Sequence, residues 1–364
     1  MSILAAASSG SLRVQALFAA VCLAIALGTA VALRLWRPAR TPFPERLGRG
    51  VSVWPLVGVM GIGLFCWWTA SSAFLTYKQA ELVARMGPGA HLELSMLSPR
   101  DMAFLATVPP LVAFILLLAA DAALNRAGGY DLGLSLRRLK SGVVWGVLGS
   151  VCVVPLLFGL MVLIDWAYRW LNYQHPDEHE LLHALGQTRD PLVVFPLVAG
   201  AALVAPLFEE LLFRAHLQTI LRRMFARAAS AVFGVGNGAT AYSAPGEPGG
   251  PPPDSSFDAA STAPGVPVPP VQTPHPGPAA VVSYAPVDLL GERAFPAWTG
   301  WAAIVVTSAL FASVHAMWTW PPIFILSLCL GYAYERTGNL WVPILIHAVF
   351  NGVSTLLFLG GMSN

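Results

Sequence analysis

The sequence is short of charge. Only 11% of its 364 residues are Asp, Glu, Lys or Arg, against about 25% in a soluble domain. Hydrophobic residues make up 56%. Few charges spread over so long a chain point to lipid as the main solvent. An excess of one sign is missing too. The net charge is +2, without the basic footprint of a nucleic-acid-binding protein, so no nucleic-acid partner is expected. Cysteine is scarce. Cys22, Cys66, Cys152 and Cys329 each lie inside an apolar run, without metal-ligand spacing. They read as small buried residues and not as a disulfide framework. No internal repeat relates the two halves, and no pair of broken helices recurs at matching positions. A transporter would mark an ion pathway with its intramembrane charges, but the sequence lacks that repeat signature.

What is present is a series of apolar runs. A helix needs about 20 apolar residues to cross the hydrocarbon core. Eight candidates stand at 12–33, 52–76, 102–124, 142–166, 191–213, 299–317, 321–335 and 340–360. The expected fold is therefore an all-α, polytopic transmembrane helix bundle. The first run is followed by Arg34, Arg37, Arg40, Arg46 and Arg49, which resist translocation and mark an anchored span instead of a cleaved signal. If 34–51 is cytoplasmic, so are 125–141, 214–298 and 336–339. These segments hold fifteen of the 21 Lys and Arg residues. The positive-inside bias then places both termini away from the cytoplasm. Residues 234–297 contain fourteen prolines and nine glycines. That composition cannot bury enough surface to offset its ordering entropy, so 234–298 reads as a disordered cytoplasmic insertion. The chain thus divides into N-terminal spans at 1–190, a helix core at 191–233 and 299–360, and the insertion between the two parts of that core.

Ionisable groups at membrane depth are costly and ask for a reason. Glu209 and Glu210 follow a long apolar run, with Arg214 one turn beyond. On a helix Glu210 and Arg214 share a face in the favourable i,i+4 order, and Glu209 points about 100° away. This geometry makes Glu210 the partner of Arg214 and leaves Glu209 free to serve as a general base. A bland reading keeps all three as an interfacial cluster reaching for the headgroups. His315 lies in the sixth run. His347 and Asn351 lie four apart in the eighth, and so project from one face. Polar side chains on three separate spans are the way bundles build interior sites.

The ordered motifs Glu209-Glu210-x-x-x-Arg214, Phe311-x-x-x-His315 and His347-x-x-x-Asn351 resemble the signature of the CAAX-protease and bacteriocin-processing family of intramembrane peptidases, which includes type II CAAX prenyl endopeptidases. The stretch from Gly331 to Trp341 resembles the family's approach to its third motif. The resemblance covers about 190–226 and 299–355. It implies that Glu209 and His315 hold and deprotonate a water, and that His347 and Asn351 donate to the oxyanion. It implies a membrane-associated or transmembrane peptide substrate, prenylated or not, and a bacterial inner membrane as location. Two histidines and a glutamate can hold zinc, yet the same groups can activate water unaided, so the cofactor stays open. A non-catalytic scaffold or immunity protein on the same helices is the alternative.

A rival motif occurs at His179-Glu180-Leu181-Leu182-His183, the pattern of a zinc peptidase, with His175, Asp177 or Glu178 as third ligand. Its bland reading is a short interfacial helix with Leu181, Leu182 and Leu185 toward lipid. There is also a difficulty of depth. Glu209 ends the 191–213 run, whereas His315 lies sixteen residues into the next, roughly 24 Å further along a helix that starts on the same side. Either the turn at Trp318–Pro322 stops short of the far surface, or the sixth helix begins in the cytoplasm.

Overall fold

The computed structural model describes residues 12–33, 52–126, 132–174, 180–233 and 297–361. Among these there are nine helices and no strand. We number them α1 (Leu12–Ala32), α2 (Trp54–Met86), α3 (Pro99–Arg126), α4 (Leu139–Trp170), α5 (Glu180–Gly186), α6 (191–233), α7 (Ala297–Ser313), α8 (Trp320–Thr337) and α9 (Trp341–Gly361). Six of them, α1 to α4, α6 and α9, are long and apolar enough to cross a membrane; α7 is apolar but shorter. The fold is the expected all-α polytopic bundle, with a helix at each of the eight apolar runs.

The largest departure is α6. The apolar run ends at 213, yet the helix that starts at Pro191 continues to Phe233. Arg214, His216 and Gln218 depress the hydropathy there, and all three are fully buried. Each has polar partners on another helix: Ser327 for Arg214, Asp121 for His216, Gly331 and Glu335 for Gln218. A polar residue that finds its partner inside the protein can be buried at modest cost. The Pro- and Gly-rich insertion and the arginine cluster at 34–51 lie outside the described residues, except that 297 and 298 open α7.

Close helix approach positions the C-terminal helices. In lipid there is no hydrophobic drive between helices, so small residues that let backbones touch matter more. Gly142, Gly146 and Gly149 line α4 against α9. A Cβ at Gly142 would sit 2.4 Å from Trp341 Cβ, and one at Gly146 2.8 Å from Leu345 Cβ. The turn between α8 and α9 uses Gly338 at φ 58, left-handed backbone that a glycine adopts without strain. It is clamped from the start of α4. Arg138 Nη1 donates to Gly338 O at 3.0 Å, and Asn339 Nδ2 donates to Arg138 O at 3.0 Å.

The short α5 corrects another expectation. Leu185 is fully buried, and Leu181 and Leu182 pack against a cluster containing Val193, Leu197 and Phe358. Its leucines face protein, because α3, α6 and α9 crowd that end of the bundle.

Candidate active site

The geometry starts from two irregularities in α6. Gly200–Val204 and Leu211–Gln218 are π-helical, and Ala205–Glu210 between them is α-helical. π segments inside α-helices frequently mark functional sites. The first has a local cause. Ala205 N–H bonds to Gly200 O in the π register, and Pro206 has no N–H to give. Ala201 O is thus left without its usual helical donor. Asn351 Nδ2, from α9, donates to it at 2.9 Å. The third motif is thereby tied to the helix carrying the first.

One turn along, the two glutamates separate as helix geometry expects. Glu210 Oε2 accepts from Arg214 Nε at 2.9 Å, and both side chains are completely buried. Arg214 also donates to Ser327 Oγ at 3.0 Å and lies over the ring of Phe311, 5.0 Å from its centroid. Glu209 makes no hydrogen bond to another described residue. It keeps 24% side-chain exposure, and its Oε2 lies 3.8 Å from His347 Nε2.

The bond absent from the spacing argument joins His347 to Glu210. His347 Nδ1 lies 2.9 Å from Glu210 Oε1. A carboxylate only accepts, so Nδ1 carries a proton. Glu210 therefore bridges Arg214 and His347, and the ring is held with Nε2 toward Glu209.

His315 stands just past the end of α7, in the turn before the short helical turn Met317–Thr319. Its Nδ1 donates to Phe311 O at 2.7 Å, which leaves Nε2 free to accept. Phe311 is the hub: its ring centroid lies 4.8 Å from His315, 5.9 Å from His347 and 4.9 Å from Phe213. The helix α6 runs on to Phe233, so Glu209 lies near its middle, and α7 packs on the same stretch where Phe311 meets Phe213 and Arg214.

The structure thus brings Glu209, Glu210, Arg214, His315 and His347 around Phe311, with Asn351 one turn from His347 toward Ala201. Phe311 was legible as a motif residue, but its role as a hub was not. Ser327 gave no signal, being one small polar residue in an apolar run. Among the described residues, no three His, Cys, Asp or Glu side chains form a metal-holding group. As arranged, the site does not fit a zinc ligand set. In the rival motif, His179 and its possible third ligands lie outside the described residues. Exposed His183 bonds Gln187 at 2.8 Å.

No curated protein and no solved structure matches the chain. The family model for "Type II CAAX prenyl endopeptidase Rce1-like" matches residues 287–353. That stretch carries Phe311, His315, Ser327, His347 and Asn351, and stops short of the Glu-Glu pair on α6. Over its C-terminal helices the chain is similar to the Rce1-like type II CAAX prenyl endopeptidases, in keeping with a CAAX protease family.

Proposed function

We propose that this protein is an intramembrane endopeptidase whose base is Glu209. The observation that carries the reading is the contrast within one Glu-Glu pair. Glu210 is saturated by Arg214 and His347, whereas Glu209 makes no hydrogen bond among the described residues and faces the His347 ring across 3.8 Å. A saturated carboxylate organises; an unsaturated one beside an imidazole can take a proton.

The roles then follow from which atoms are free. His315 Nε2 accepts one hydrogen of a water and Glu209 takes the other as a proton. The oxygen attacks the scissile carbonyl carbon. The resulting oxyanion is met by His347 Nε2–H and by the amide N–H of Asn351 not used on Ala201. For His347 to donate from Nε2 while Nδ1 donates to Glu210, the ring carries both protons, and Glu210 supplies its counter-charge. The proton on Glu209 then passes to the amine as the C–N bond breaks, giving a carboxylic acid and an amine. Glu210, Arg214 and Phe311 act through the groups they hold. No step here requires a metal. The helix core is 191–233 with 299–360, and the substrate enters from the membrane.

The matched family's description makes a prenylated C-terminal tail the first substrate to try. Purified protein in nanodiscs is given a prenylated peptide, the same peptide without its prenyl group, and a transmembrane segment, and products are read by mass spectrometry. Cleavage of the prenylated peptide is expected. A folded protein that cuts none of the three would end this reading.

A further inference from the structure

Five buried side-chain polar atoms lack a hydrogen-bond partner among the described residues, and four belong to one seam. They are Arg214 Nη1, Gln218 Oε1, Thr307 Oγ1 and Ser308 Oγ. All four residues are completely buried. Arg214 and Gln218 lie in the second π segment of α6. Thr307 and Ser308 lie on α7, in a stripe with Ile304 and Phe311 whose three- and four-residue spacing puts all four on one face. The two ends of that stripe are fixed by contact. Phe311 lies under the Arg214 guanidinium. A Cβ at Gly331 would meet both Gln218 Oε1 at 2.9 Å and Ile304 Cγ2 at 3.1 Å. The two hydroxyls therefore sit between these contacts, opposite the turn from Arg214 to Gln218.

These atoms are chemically complementary to one small ligand. The guanidinium nitrogen donates, the amide oxygen accepts, and each hydroxyl does both. Buried polar groups of this kind are met by water, which makes two to four bonds to such partners, whereas an apolar gap stays dry. We propose that bound water fills this seam and completes the hydrogen bonding of Arg214, the residue that fixes Glu210 and, through it, His347. Direct side-chain hydrogen bonds flank the seam on both sides. At one end Gln218 Nε2 donates to Glu335 Oε1 at 2.9 Å, and Arg222 Nη1 donates to Glu335 Oε2 at 2.7 Å. The Arg222 side chain reaches the surface at 14% exposure. At the other end Arg214 leads through Glu210 and His347 to Glu209. The effect on catalysis rests on the peptidase reading; the hydration of the seam does not.

The test separates the two. Radiolytic hydroxyl labelling in isotopically heavy water, on the full-length protein in nanodiscs without substrate, marks residues beside bound water. Ile304, fully buried at the Gln218 end, is expected to be labelled in the wild type. It is expected to lose the label in Thr307→Val/Ser308→Ala, which removes both hydroxyls at nearly constant volume. Turnover of the folded protein should fall about tenfold with KM unchanged, and melting temperature should fall as Arg214 Nη1 and Gln218 Oε1 lose their water partners. Ser308→Ala alone should show both effects in weaker form. The proposal is overturned if wild-type Ile304 is unlabelled, or if the double variant loses the label and keeps full turnover. A wild type that labels Ile304 yet cleaves no substrate would instead count against the peptidase reading and leave the hydration standing.

Discussion

Glu210 and His347, 137 residues apart in sequence, are joined by a buried hydrogen bond of 2.9 Å between Oε1 and Nδ1. The same carboxylate holds Arg214 through its other oxygen. One buried anion thus fixes two cationic or cation-forming side chains on different helices. Removing one member of such a group leaves the others charged and unpaired.

Glu210→Gln is therefore expected to act on both stability and rate. It breaks a completely buried ion pair, a loss worth about 3–5 kcal/mol. It also takes away the counter-charge of His347, so turnover should fall in any protein that stays folded. Thermal melting in detergent, read beside cleavage by the surviving folded fraction, checks this. A stable, fully active Glu210→Gln would show that Arg214 and His347 do not need it.

The α4–α9 contact gives a test by size alone. In Gly146→Ala the new Cβ would lie 2.8 Å from Leu345 Cβ. Overpacking of that kind costs about 1–3 kcal/mol. It should also lower activity, because Leu345 is two residues from His347. Gly58→Ala in α2 meets nothing within 4 Å and should leave melting and cleavage unchanged. Equal effects from the two would contradict the packing argument.

These relationships were unevenly legible in the chain. The Glu210–Arg214 pair was readable because i,i+4 geometry is local, and so was the split between the two glutamates. The length of α6 was not readable. Arg214, His216 and Gln218 look like the end of a span, and only their partners Ser327, Asp121, Gly331 and Glu335 make them interior. The π segments were also hidden, since the first depends on an α9 side chain donating to Ala201 O. His315 was read inside a helix but stands beyond its end, where its ring lies against Phe311. The Glu210–His347 bond crosses helices, and one sequence carries no record of such a pairing.

Asn351 has a structural duty beside its proposed catalytic one. Asn351→Ala leaves the partly buried Ala201 O without its donor, a loss of about 1 kcal/mol. Asn351→Asp should be no better, since a carboxylate cannot donate to a carbonyl or to an oxyanion. Both variants are expected to lower the melting temperature and turnover together. An Asn351→Ala protein of wild-type stability would contradict the Ala201 contact.

The rival motif is tested by His183→Ala. His183 is exposed and bonded to Gln187, so cleavage and melting should both stay at wild-type levels. Loss of cleavage with the fold intact would move the catalytic centre to the His179-Glu180-Leu181-Leu182-His183 motif.

Glu209→Gln tests the central claim most directly. It keeps the size of the side chain and removes only its capacity to take a proton. Cleavage by the purified variant is measured beside wild type, with thermal melting as the control for folding. The melting temperature is expected to stay unchanged and turnover to fall at least about a hundredfold, the scale of a missing general base. A folded Glu209→Gln that cleaves at the wild-type rate would show that Glu209 is not the base.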